Sequence, residues 1–150
     1  MKKLVIFDLD GTLLDTIEDL AVSANYALRE CGYPLHEVSE YPRFVGNGIS
    51  KLIERALPEE ARNADEIARV MQVFMPYYDA HNAEYTHPYA GVEALLDTLH
   101  KRGLMLAVAS NKYHSATVEI VKHYFPAIPF VAVLGQRDDV PKKPHPAIVH

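Results

Sequence analysis

The sequence predicts an α/β protein: a parallel-sheet core formed by residues 1–15 and 87–150, with an all-helical insertion at 16–86. Three observations lead there. A short continuous apolar run, Leu4-Val5-Ile6-Phe7, passes straight into Asp8-Leu9-Asp10-Gly11. Such a run suits a strand buried on both faces of a parallel sheet. Two further short runs, Leu104 to Ala109 and Phe130 to Leu134, alternate with helical patterns. Residues 16–86 carry helical periodicity alone, and that change of pattern sets the boundaries of the insertion.

The first strand ends in acids, at the carboxyl edge where open α/β sheets bind ligands. In an extended segment residues i and i+2 point the same way, so Asp8 and Asp10 face one site. Two carboxylates that close repel each other, and a hard cation such as Mg²⁺ relieves the repulsion. A metal-neutralised carboxylate can attack phosphorus and form an aspartyl-phosphate. The second acid can protonate the leaving oxygen and later activate water. Gly11 allows a sharp turn, so that backbone N–H groups face a phosphate. A solvated turn uses the same residue types; the whole string is what sets this one apart. Phe7-Asp8-Leu9-Asp10-Gly11-Thr12-Leu13 resembles the first motif of the haloacid dehalogenase-like phosphatase superfamily, and most closely its phosphoglycolate phosphatase branch. The resemblance implies a Rossmann-like core with an inserted helical cap.

The insertion opens with a helical stripe at Ile17, Leu20, Ala21, Ala24, Leu28 and Cys31. Asp15 with Glu18 reads as a capping box, and Gly32 falls just past the helix end. Cys31 reads as a small packing residue on that stripe. A short helix is expected from His36 to Tyr41. Arg43-Phe44-Val45-Gly46-Asn47-Gly48 then opens a helix with apolar positions Ile49, Leu52, Ile53, Ala56 and Leu57. A helix start of this kind can hold an anion, and equally can be a plain turn. In the resembled family the cap loop closes over substrate, which makes Arg43 and Asn47 candidates for specificity. A longer helix spans roughly 64–80, where Pro76 is expected to kink or divide it.

The core resumes at His87-Pro88-Tyr89-Ala90-Gly91. Val92, Leu95, Leu96 and Leu99 give a helix face that Gly103 stops. The second strand ends in Ser110-Asn111-Lys112, where a hydroxyl, an amide and backbone N–H groups can bind phosphate as the family's second motif does. Taken alone, Ser110 reads as a cap or turn residue. A helix over 114–124 and a third strand over 130–134 follow. Lys142-Lys143-Pro144-His145-Pro146 resembles the third motif, with Lys143 as the match. Its ammonium would offset phosphate and nucleophile charge. The family's fourth motif, which supplies a further carboxylate to Mg²⁺, is expected beyond His150. The chain therefore reads as a fragment of a longer enzyme or as a truncated product. Without the neighbouring strand, Lys3 to Phe7 is expected to form an exposed edge open to self-association.

Composition narrows the function classes. With 49% apolar and 23% charged residues the chain has material for a packed core. A net charge of −5 argues against binding nucleic acid through a basic surface. No apolar run is long enough for a membrane span, the acids at 8 and 10 cut the N-terminal apolar run too short for a signal peptide, and one cysteine excludes an internal disulfide; absent secretion signals and disulfides together favour the cytoplasm. The eight histidines show no metal-ligand spacing. The leading expectation is a Mg²⁺-dependent phosphomonoester hydrolase acting on a small phosphorylated metabolite, phosphoglycolate first. By the resemblance, Asp8 is the nucleophile and, with the Asp10 carbonyl, a metal ligand. The Asp10 carboxylate is then general acid and base, and Ser110, Asn111 and Lys143 hold phosphate. A sugar phosphomutase is the alternative within the superfamily; Asp10 argues against a dehalogenase. A non-catalytic remnant is the competing class, and a receiver-type signalling domain is a weaker one.

Overall fold

The N-terminal apolar run forms strand β1, Leu4–Phe7. The computed structural model describes residues 3–136. They divide into two compact units, one made of the segments up to Asp15 and from His87 onward, the other of Thr16–Thr86.

In the first unit β1 pairs in parallel with β4, Met105–Tyr113, with Leu4 opposite Met105 and Phe7 opposite Val108. On its other side β4 pairs in parallel with β5, Ala132–Gln136, giving the order β1-β4-β5. Helix α5, His114–Tyr124, makes the crossover between β4 and β5, as parallel pairing requires. Helix α4, Val92–Lys101, precedes β4. Leu96 of α4, Leu106 and Val108 of β4, and Ile120, Val121 and Phe125 around α5 form the core with Leu9, Leu13 and Leu14. Each of these large side chains, fully buried, is worth on the order of 1.5–3 kcal/mol.

Double-sided burial is found in β4, whose residues from Leu106 to Lys112 are all buried. It is not found in β1. There Val5 and Phe7 pack on the core, whereas Leu4 and Ile6 are 49% and 45% exposed. Among the described residues β1 is the edge strand, hydrogen-bonded by β4 alone. A two-residue antiparallel pair joins β2, Leu14–Asp15, to β3, His87–Pro88.

The second unit is helical: α1 (Ile17–Glu30), α2 (Ile49–Ala56) and α3 (Ala64–His81), with 3₁₀ turns at Val38–Arg43 and Glu59–Ala61. Tyr41, Leu52, Ile53, Phe74 and Tyr78 are buried at its centre. The expected Asp15–Glu18 box does not form. Asp15 is taken up in β2, and Thr16 precedes α1 without a side-chain cap. Helix α3 is capped by Asn63, whose side chain accepts the Glu66 N–H at 3.0 Å. It runs undivided through Pro76, because buried Phe74 and Tyr78 on either side hold it against the core. Near the start of α1, buried Asp19 accepts hydrogen bonds from the N–H groups of Tyr85 and Thr86 and from the Thr86 hydroxyl. Its carboxylate thereby ties the last residues of this unit to the first turn of α1, a favourable end for an anion. No helix among the described residues is long and apolar enough to cross a membrane.

Candidate active site

The turn after β1 is built around Leu9. Its side chain is fully buried, and its carbonyl accepts the N–H groups of Thr12, Leu13 and Leu14 at 3.2, 3.0 and 3.1 Å. Gly11 sits at φ +79, a left-handed conformation that L side chains rarely adopt, and its N–H reaches the Leu14 carbonyl at 2.9 Å. With Leu9 turned into the core, Asp8 before it stays at the surface and Asp10 after it is partly covered. Asp8 is exposed, and its Oδ1 accepts the Leu9 N–H at 2.8 Å. The Asp10 side chain is 18% exposed.

The register brings the second candidate group to the same edge. Phe7 lies opposite Val108, so Asp8 just beyond β1 and Ser110 on β4 stand at neighbouring carboxyl-side positions. β4 does not end at Ala109 as expected. It continues to Tyr113, with a shift of register against β5 between Ala109 and Tyr113. Ser110, Asn111 and Lys112 occupy that irregular stretch, and all are buried. Ser110 Oγ accepts the Lys112 N–H at 3.0 Å. The Lys112 carbonyl lies 3.2 Å from Thr117 Oγ1, which is also 3.0 Å from the Tyr113 carbonyl. Gly135 of β5 closes over the same point: a Cβ there would lie 2.6 Å from Lys112 O, His114 Cα and Thr117 Oγ1. Its N–H donates to His114 Nδ1 at 3.0 Å.

Two neighbours of the acids carry no warning in the sequence. The Lys112 ammonium, on a side chain 2% exposed, is 3.4 Å from Asp10 Oδ1. Burial pushes the Tyr89 phenol above its ordinary value, and the charges of Asp15 and then Asp10 push in the same direction. A lysine is read from sequence as a solvated surface residue, and only the strand's continuation past Ala109 places this one inside.

Lys143 lies outside the described residues. Arg43 and Asn47 belong to the helical unit. There Arg43 Nη2 is 3.1 Å from Glu40 Oε1, and Asn47 Oδ1 accepts from Arg55 at 2.9 Å. A pocket of about 550 Å³ in this unit is lined by His36, Arg43, Phe44, Arg55 and Arg62. Arg55 and Arg62 also hold the carbonyls of Phe44 and Leu57, at 3.3 and 3.0 Å.

The donor set at the sheet edge suits a hard divalent cation. Asp8 offers an exposed carboxylate, and the Asp10 backbone carbonyl lies on the same turn. The ammonium beside the Asp10 carboxylate leaves that carboxylate less suited to a second cation than the Asp10 carbonyl. Among the described residues no three His, Cys, Asp or Glu side chains are grouped as a metal site. An ion held here would complete its shell with water and substrate phosphate, the usual habit of Mg²⁺.

The sequence matches the family model for haloacid dehalogenase-like hydrolases over residues 5–150. It is 35% identical to the phosphoglycolate phosphatase of Vibrio parahaemolyticus over 153 residues, covering 99% of this chain and 67% of that one. It is 36% identical to the Vibrio cholerae phosphoglycolate phosphatase, covering 96% of this chain and 66% of that one. The chain thus spans about two thirds of the length of these curated relatives. A presumed phosphoglycolate phosphatase from Lactobacillus delbrueckii subsp. bulgaricus superposes with a TM-score of 0.90 at 32% identity, over 99% of this chain and 70% of that one. A predicted phosphoglycolate phosphatase from Haemophilus somnus gives 0.87 at 32% identity, over 97% and 68%. With its sheet, its acid-bearing turn and these likenesses together, the chain belongs to the haloacid dehalogenase-like hydrolases.

Proposed function

We propose that this chain carries the nucleophile of a cytoplasmic, Mg²⁺-dependent phosphomonoester hydrolase whose substrate is a small phosphorylated metabolite, with phosphoglycolate the first candidate. One observation carries the reading. An exposed Asp8 directly follows β1 at the carboxyl edge beside Ser110, and Asp10, two residues on, precedes the turn at Gly11. The Asp8 carboxylate attacks phosphorus, the bond from phosphorus to the leaving oxygen breaks, and the Asp10 proton passes to that oxygen. The Asp10 carboxylate then takes a proton from the water that hydrolyses the aspartyl-phosphate. Bound Mg²⁺, held by the Asp8 carboxylate and the Asp10 carbonyl, would offset the charge of the phosphoryl oxygens. Ser110, Asn111 and Lys143 are assigned to the phosphate, and Arg43 and Asn47 to selection of the substrate. The choice of phosphoglycolate is supported by relatives of that name at 35% and 36% identity.

The test is release of phosphate from phosphoglycolate and from an aryl phosphate, with Mg²⁺ and with a chelator. Asp8→Asn should abolish turnover while leaving the circular dichroism spectrum unchanged, because a carboxamide is a poor nucleophile. Substantial turnover by that variant removes Asp8 from the mechanism. Hydrolysis of the aryl phosphate without phosphoglycolate hydrolysis keeps the reaction class and discards the substrate.

A further inference from the structure

We propose that Lys112 is a positioning residue that holds the Asp10 carboxylate where proton transfer requires it; the inference rests on the phosphatase reading above. The Lys112 ammonium is buried, and a charge taken out of water needs an opposite charge beside it. Asp10 Oδ1, at 3.4 Å, is such a partner. The base of the side chain is fixed as firmly as its tip. The Lys112 N–H is held by Ser110 Oγ, its carbonyl lies against Thr117 Oγ1, and Gly135 leaves no space for that carbonyl to shift. A long side chain fixed at both ends spans from β4, the doubly buried strand, to the turn that follows β1. Asp10 sits on that turn beside Gly11 with its side chain 18% exposed, and the ammonium at Oδ1 sets the direction in which its carboxylate faces.

Proton transfer demands tight placement. Donor and leaving oxygen must approach to about 2.6–3.2 Å, and small misplacements are costly. Loss of the tether should therefore be felt at leaving-group departure, where a proton carried on the other Asp10 oxygen, Oδ2, moves while Oδ1 stays with the ammonium. Its effect should scale with how much the leaving group needs that proton: strongly for an alkyl alcohol, weakly for nitrophenolate. A lysine that only bound phosphate would slow both substrates alike.

The experiment compares kcat/KM for an alkyl phosphate and for p-nitrophenyl phosphate, since this parameter covers the steps through leaving-group departure. Wild type, Lys112→Met, Lys112→Arg, Asp10→Asn and the double variant Asp10→Asn/Lys112→Met are assayed with Mg²⁺. Lys112→Met should lose about 10–100-fold on the alkyl substrate, a part of the roughly 10²–10⁴-fold that acid–base groups supply, and far less on the aryl one. Lys112→Arg should recover part of the alkyl activity. The double variant should be no slower on the alkyl substrate than Asp10→Asn alone, the non-additivity of two groups acting as one. Should Lys112→Met fail to fold, Lys112→Gln carries the same comparison. Equal losses on both substrates, or additive losses in the double variant, overturn the proposal while leaving the phosphatase reading standing. A wild-type protein inert toward both substrates overturns the two together.

Discussion

Asp19→Ala should destabilise the helical unit more than any nearby surface change. The buried carboxylate receives the Tyr85 N–H at 3.1 Å, the Thr86 N–H at 2.8 Å and the Thr86 hydroxyl at 2.6 Å. Asp19 is 2% exposed and Thr86 7%, so water replaces little when the acceptor goes. Tyr85 is half exposed, and its amide can turn to solvent. Two buried donors at Thr86 therefore dominate the cost. At about 1–3 kcal/mol for each buried group that loses its acceptor, the total is about 2–6 kcal/mol. Asp19→Asn keeps one oxygen as acceptor and should cost less than half as much. Urea denaturation followed by helical circular dichroism measures both variants. A loss near 3 kcal/mol corresponds to a melting point lower by roughly 6–12 °C in a chain of this size. Hydrogen exchange supplies the local check: the Thr86 amide should be protected in wild type and exchange much faster in Asp19→Ala. If Asp19→Ala alters stability by less than about 0.5 kcal/mol, the range of ordinary surface substitutions, the reasoning from the three contacts fails.

Gly135→Ala places a Cβ against two backbone atoms and a hydroxyl, and should cost about 1–3 kcal/mol as overpacking does; a neutral result in thermal denaturation would show that β5 can shift freely. Asp10→Asn should lower kcat by about 10²–10⁴-fold with a smaller change in KM, and an unchanged kcat in steady-state assays excludes it as acid and base. Self-association through β1 is proposed from its exposed Leu4 and Ile6. The pair Leu4→Lys and Ile6→Lys should shift the 150-residue chain toward monomer in sedimentation velocity, and an unchanged distribution assigns any association to another surface.

Elements with a long or uniform pattern were legible in the sequence. Helix α5 occupies the expected 114–124, and the apolar runs ending at Phe7 and Ala109 both became parallel strands. Features set by partners distant in sequence were not. β2 and β3 have two residues each, too few for any period, and exist because they meet each other. β5 begins at Ala132 rather than Phe130, because Phe130 turns into the core beside Phe125. The string after β1 announced Asp8 and Asp10 through its own residue types. Ser110, Asn111 and Lys112 were legible as a polar strand end, yet their depth was not. A hydroxyl, an amide and an ammonium in sequence suggest solvent, and only the continuation of β4 past its pairing with β1, under Gly135 of β5, draws them under cover.

Leu9 separates two acids with different assignments, and it does so from inside the core. Its side chain answers to Leu106, Val108 and their neighbours, and its carbonyl gathers three amides. The distance between the acids is thus inherited from how well one apolar residue fits. Drift in the core behind Leu9 cannot stay silent at the sheet edge, since any re-fitting of that side chain moves Asp8 and Asp10 together. Change in this protein therefore has more freedom at the Arg43–Gly48 loop, whose one charged residue, Arg43, pairs with Glu40 in a separate packing unit, than at the turn after β1. Substitution in the first leaves the two acids where they stand; moving the acids means rebuilding the interior.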